Sequence, residues 1–164
     1  MKINSLEKLL VHELKDLYSA EKQILSHLDK VIDKTTNGEL KTALSEHRNL
    51  TRTHVQRLES IFSGLDHEPG GHRCKGMEGL LKEGDDLLKD TTDSATRDAG
   101  IIAAAQRVEH YEMAGYGTAR TYARMLEKDD VAETLQKTLD EEADADEKLT
   151  RIAEHVVNPK AISA

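Results

Sequence analysis

The chain has 164 residues, a formal charge of -8, 3% aromatic residues and no tryptophan. That length can bury a real core in a single domain, and an acidic balance without any Lys/Arg block excludes a nucleic-acid footprint and attraction to an anionic membrane surface. With so few aromatics the core must be aliphatic, and the two prolines, Pro69 and Pro159, leave long stretches free to be helical.

From Ser5, a candidate N-cap, apolar residues recur at Leu6, Leu10, Leu14, Leu17, Ile24, Leu28 and Val31, which predicts an amphipathic helix over 5–34. One position on that seam is not apolar: Glu21. Thr35 to Gly38 reads as a tight turn, with Asn37-Gly38 able to take positive φ. A second helix over 39–62 follows, with a seam of Leu40, Ala43 or Leu44, His47, Leu50, His54, Leu58 and Ile61. So short a turn makes the two helices antiparallel neighbours. Gly64 to His72, with Pro69-Gly70-Gly71, reads as an exposed loop, and 74–89 as a shorter helix carrying a crossover along the outside of the bundle. Thr91 to Ser94 supplies stop and N-cap chemistry.

The third long helix, 95–127, contains the least polar stretch of the chain, with Ile101, Ala105, Val108, Glu112, Gly115 and Ala119 on its seam. Gly115 and Gly117, costly in a helix, predict close approach of another backbone. Asp129-Asp130 opens a fourth long helix over 130–156, with Asp130 and Glu133 as a variant capping box and a seam of Leu135, Leu139, Glu142, Asp146, Leu149 and Ala153. It frays before Asn158-Pro159. Four long helices, two short hairpins and one long crossover carrying an additional short helix give an all-α, ferritin-like four-helix bundle. Met1 to Leu10 lacks the apolar core of a signal peptide, no apolar run approaches the length of a membrane span, and Cys74 has no partner for an intrachain disulfide. A soluble, cytoplasmic protein is the expectation.

Residues equally far from an antiparallel turn lie at equal depth, because both helices rise at about 1.5 Å per residue. By that measure Glu21 meets the stretch from Leu50 to His54, and Glu109 and Glu112 meet Glu142 and Asp146. Glu21, His54, Glu109, Glu112, Glu142 and Asp146 are therefore candidates for one mid-bundle site. Buried carboxylates are normally protonated, paired with a cation or bound to metal. One or two divalent ions would offset the repulsion of so many, and carboxylate with imidazole suits iron, manganese or zinc. His47 and His54 belong to a type that is more often a satisfied core or rim histidine than a ligand; His47 is read so, and His54 stays a candidate ligand. Tyr18, Tyr111, Tyr116 and Tyr122 are expected in the core with hydroxyls on nearby acids, and Cys74 as a small buried residue.

Asp16-Leu17-Tyr18-Ser19-Ala20-Glu21-Lys22-Gln23, Lys75-Gly76-Met77-Glu78-Gly79-Leu80 after Cys74, and Arg97-Asp98 leading into Ile102-Ala103-Ala104-Ala105-Gln106-Arg107-Val108-Glu109-His110-Tyr111-Glu112 carry a resemblance, completed by Thr138-Leu139-Asp140-Glu141-Glu142 with Asp146. In order and spacing, over nearly the whole chain, they closely resemble the YciF/YciE-like bacterial stress-protein family. The resemblance implies a fold similar to ferritins and rubrerythrins, a homodimer, and a carboxylate pattern in which Glu21 matches the first helix, Glu109 with Glu112 the third, and Glu142 the fourth. The chain departs from it at Leu50 and Asn49, where acids are usual or frequent, and at Asp146, which stands four residues after Glu142 where the broader ferritin-like pattern has a histidine at three. The expectation is a metal-binding stress protein holding one or two ions of iron or manganese, with oxygen or peroxide as candidate reactants. The alternative is a non-catalytic structural or interaction dimer with a degraded metal site, its acids neutralised by Arg107, by lysine or by protonation. Leu50 favours that alternative.

Overall fold

The computed structural model describes residues 2–163, which contain no strand. The elements are α1 (Leu6–Lys34), α2 (Gly38–Gly64), α3 (Lys75–Asp90), α4 (Ser94–Met125), α5 (Asp129–Ile152), a π-helical turn (Ala153–Val157) and α6 (Asn158–Ile162). Side chains cap four of them. Ser5 accepts from the backbone N–H of Lys8, Asn37 from that of Leu40, Cys74 Sγ from that of Met77, and Asp93 from that of Thr96. Each satisfies an amide that the helix itself leaves without a partner.

The local expectations fail at three places. Asn37 keeps φ at -73° and serves as the cap of α2, so the hairpin needs no positive-φ turn. At α5 the cap position is Lys128 and no side chain caps it, so Asp130 and Glu133 form no capping box. Pro159 does not end the last helix, because the chain passes through the π turn and Pro159 falls in the first turn of α6, where a missing N–H costs nothing.

The bundle is a ring in which α1 packs on α2, α2 on α5, α5 on α4 and α4 on α1, with α3 laid across α1 and α4. One apolar core joins the start of α1 to the end of α2, the end of α4 and the start of α5, through Leu10, Leu14, Leu58, Phe62, Ala123 and Leu135. The other joins the opposite ends, through Ile32, Leu40, Ile101 and Ile152. Helices α2 and α4 therefore run in the same direction, and the segment between them must climb the whole bundle. That is the long crossover of a ferritin-like fold, and α3 lies within it. Asp98, almost fully buried, fastens the α1/α2 turn to the start of α4 by accepting from the Thr36 N–H at 2.9 Å, the Thr36 hydroxyl at 2.6 Å and the Asn37 N–H at 2.7 Å.

Gly115 is closely approached, though by a side chain and not a backbone: a Cβ there would stand 2.8 Å from Leu17 Cδ2, while at Gly117 nothing comes nearer than 3.9 Å. The tightest glycine is Gly76 in α3, where a Cβ would lie 2.6 Å from the ring of Tyr111. That ring cannot swing aside, since its hydroxyl donates to Asp16 Oδ2 at 2.7 Å and lies 3.0 Å from Cys74 Sγ. The helix-propensity gain of alanine, at most about 1 kcal/mol, is therefore outweighed by overpacking of roughly 1–3 kcal/mol. Urea unfolding should show Gly76→Ala as destabilising, while Gly79→Ala, with open space around it, stabilises. An equal response at both positions would refute the wedge.

Candidate metal centre

Between the two apolar cores lies a polar layer. Glu21 of α1, His47, Thr51 and His54 of α2, Glu109 and Glu112 of α4, and Thr138 and Glu142 of α5 are all buried. Each side chain arrives there by the phase of its helix. Glu21 falls between Leu17 and Ile24, His47 and His54 lie two turns apart on one stripe of α2, and Glu109 and Glu112 are neighbours one turn apart on α4. Thr51 is satisfied, its hydroxyl donating to the His47 carbonyl at 3.0 Å.

The charged members of this layer are not. Eleven buried side-chain polar atoms among the described residues have no hydrogen-bond partner, and nine of them belong to Glu21, His47, His54, Glu109, Glu112 and Glu142. Glu112 has both oxygens unpartnered, and His47 both ring nitrogens. Natural proteins seldom leave such atoms unpaired, because each costs of the order of 1–3 kcal/mol or more when charged. The atoms nonetheless stand close together. His54 Nδ1 is 2.9 Å from Glu142 Oε1 and 3.3 Å from Glu21 Oε1, and His47 Nε2 is 3.3 Å from Glu109 Oε1, without aligned hydrogen bonds at either ring nitrogen. Ligand atoms about 2.1 Å from one ion stand roughly 3.0–3.4 Å from each other. The donor atoms fall into two groups, each with its atoms within 4.8 Å of one another: His47 with Glu109, Glu112 and Glu142, and Glu21 with His54 and Glu142. Glu142 belongs to both.

Around this set stand groups that fix its orientation. His54 Nε2 is 2.9 Å from Glu141 Oε2, and the Arg57 guanidinium holds Glu141 with two bonds of 2.6 and 3.0 Å. With its Nε2 proton committed to Glu141, His54 presents Nδ1 to the interior, the arrangement by which an outer carboxylate orients a ligating imidazole. The Tyr116 hydroxyl donates to Glu21 Oε1 at 2.5 Å. Tyr18 and Tyr111 likewise place their hydroxyls on acids, Glu59 and Asp16.

Burial alone would raise every carboxyl here. It does so for Glu21, Glu109 and Glu112, aided by the neighbouring charge of Glu142, and the latter two lie well above the ordinary range. Glu142 goes the other way. Burial opposes its charge, but His54 and His47 on either side outweigh it and hold the carboxyl at about 2. Burial likewise opposes the charge of His54, and the carboxylates of Glu142 and Glu21 overcome it and push the imidazole up to about 10. Without metal the centre is thus a Glu142–His54 ion pair beside carboxyls whose charged form burial disfavours.

The structure brings together five of the six residues singled out from the sequence: Glu21, His54, Glu109, Glu112 and Glu142. Asp146 lies outside. Its carboxylate accepts from Gln106 at 3.1 Å and sits 3.2 Å from His110 Nε2, at the half-exposed edge of α4 and α5. His47, read as a core or rim residue, takes a place in the cluster instead. Leu50 is only half-buried, and the inward position at that level is Thr51.

Comparison with known proteins agrees with this architecture. A family profile described as "Domain of unknown function (DUF892)" matches residues 5–162. The protein YciF of Escherichia coli K12 is 38% identical over 162 residues, covering 98% of each chain. Its crystal structure, described as that of a stress protein, superposes with a TM-score of 0.91 over 95% of this chain and 99% of that one. YcfI of Rhodopseudomonas palustris, whose description provisionally calls it structural, is 40% identical with a TM-score of 0.89, covering 91% of this chain and 95% of its own. A Xanthomonas campestris protein at 21% identity, with a TM-score of 0.75 over 97% and 98% of the two chains, shares the fold.

Proposed function

For a chain that belongs to the DUF892 family, the YciF-like stress proteins, we propose a function as a metal-binding stress protein that holds two ions of iron or manganese at mid-bundle. The observation that carries the reading is the set of nine unpartnered donor atoms converging as two groups on a shared Glu142. In this reading His47, Glu109, Glu112 and Glu142 hold one ion, and Glu21, His54 and Glu142 the other. Carboxylate and imidazole donors suit both metals, and their positive charge offsets the repulsion that otherwise forces protons onto Glu109 and Glu112. Bound there, the ions would supply redox chemistry toward dioxygen or peroxide.

The chain's own residues do the rest. Glu142 would serve both ions, and Glu141, held by Arg57, keeps His54 in the tautomer whose Nδ1 faces inward. Tyr116 fixes the rotamer of Glu21. The apolar cores above and below keep bulk water from the layer. The protein acts in this reading as a homodimer.

The rival reading is a non-catalytic structural dimer whose acids are neutralised by protons. Elemental analysis after loading with iron or manganese, on protein purified without chelator or affinity metal, separates the two. The expected value is near two ions per chain, as the two donor groups require. A value near zero after loading overturns the metal reading and leaves the rival.

A further inference from the structure

A cavity of about 170 Å³ opens between α2 and α5 and ends on the metal-facing layer. Its walls are mostly apolar, formed by Ala43, Leu44, Leu50, Ala145 and Leu149, with Glu141 and Asp144 of α5 also on the lining. At its inner end stand His47 and Glu109, both more than nine-tenths buried, with the two ring nitrogens of His47 and Glu109 Oε2 unpartnered. At its mouth Lys148 Nζ reaches across from α5 to Glu46 Oε2 of α2 at 2.5 Å. Beyond His47 and Glu109 a second, smaller cavity of about 60 Å³ continues between α1, α3 and α4, lined by Ile24, Leu28, Ile101 and Val108 among others.

We propose that the α2/α5 cavity is a binding and access site for dioxygen, delivering it to the His47 and Glu109 face of the cluster. Its role in delivery rests on the metal reading above; its capacity for an apolar gas does not. Glu141 on the lining has both oxygens taken by Arg57 and His54, and Asp144 is exposed to solvent, so a hydrated ion passing inward of them would lose much of its solvation, at a cost of several kcal/mol. Hydrogen peroxide would lose its hydrogen bonds for the same reason. An apolar diatomic loses nothing. An apolar cavity of about 150 Å³ in another protein stays dry and takes up xenon or benzene, and the volume here is similar. Leu50, one turn beyond His47 and half-buried, sets the bore.

Xenon is the probe, read by crystallography under pressure or by xenon NMR on metal-free protein. The wild-type chain should hold xenon between Leu50 and His47, Leu50→Trp should exclude it, and Leu50→Ala should retain it. In iron-loaded protein, Leu50→Trp should slow ferrous oxidation by dioxygen by roughly tenfold or more, the behaviour of a gated step, with iron stoichiometry unchanged. Ala145→Phe narrows the bore from the α5 side and replaces Leu50→Trp if that variant does not fold. Absence of xenon from the wild-type cavity overturns the proposal, and so does a plugged variant that oxidises at the wild-type rate. Slowing with peroxide but not with dioxygen overturns the choice of dioxygen. If the wild-type chain takes up no iron, the metal reading fails and the xenon arm still decides the cavity.

Discussion

Glu142→Ala protein should take up essentially no metal, while Glu21→Ala and His47→Ala each keep about one ion per chain. The difference follows from sharing, since Glu142 is the only residue common to both donor groups. Removing an outer-shell partner of a metal ligand commonly weakens binding by about 10–100-fold, and loss of a ligand shared by both positions should exceed the upper end of that range at each. The variant also breaks the ion pair that survives without metal. His54, fully buried, then loses the carboxylate 2.9 Å from its Nδ1, and breaking a buried pair by removing one partner costs of the order of 3–5 kcal/mol. Metal analysis and thermal unfolding of the metal-free protein therefore report the two losses separately. Asp146→Ala is the control. Its carboxylate is engaged by Gln106 and His110 at the rim, so the variant should retain both ions. Two ions bound in Glu142→Ala, or none in Asp146→Ala, would contradict the assignment.

The reasons for these roles were unevenly legible in the sequence. Glu21, Glu112 and Glu142 stand on helical seams whose other positions are apolar, and an acid in that phase has nowhere to point but inward. Four long helices with two short turns and one long connection were equally clear, because so few prolines and aromatics leave the helical period unobscured. Asp146 lies off the centre for a geometric reason. Four residues after Glu142 it shares the same broad face, but the inward line of α5 runs through Thr138, Glu142 and Leu149, which leaves position 146 at the edge where Gln106 can reach it. His47 was passed over for a chemical reason: a histidine among leucines is more often core than ligand, and only its seven-residue spacing from His54 placed both on one stripe. Glu141 had no signal of its own. Of two adjacent acids one must face outward, and that it would turn to orient His54 depends on Arg57 and Thr138 at the same level. Thr51 stands at the centre where Leu50 was expected because the seam steps by four from His47 and then by three to His54, while Leu40, Leu44, Leu58 and Ile61 keep the places their spacing gives them.

In metal-free protein the melting temperature should fall as pH rises from about 6.5 toward about 10, and manganese should stabilise most at the alkaline end of that window. His54 is held near 10 in the folded chain against 6.5 ordinarily, so its contribution is complete below 6.5 and is lost as pH climbs through 10. The raised carboxyls of Glu21, Glu109 and Glu112 act in the same direction, because above 4.5 the unfolded chain has released protons that the folded chain still holds. Glu142 acts oppositely: lowered from 4.5 to about 2, it stabilises above 4.5 and loses that contribution as pH falls toward 2. The metal-free optimum therefore lies at about 4.5, where Glu142 has gained most of its contribution and the raised carboxyls have only begun to lose theirs. Metal takes the place of these protons, so its affinity rises with pH. A ligand at 100 times its dissociation constant adds about 2.7 kcal/mol, and each kcal/mol moves Tm by about 2–4 °C in a chain of this size. The Tm gap between manganese-loaded and metal-free protein should thus be wider at pH 8.5 than at pH 5.5, by roughly 5–10 °C for such an increment. Calorimetry under argon measures both curves. Acids neutralised only by protons would reproduce the decline of the metal-free curve and leave the gap at zero throughout, so a flat gap would favour the structural dimer, whereas a widening one requires the carboxylates to exchange their protons for an ion.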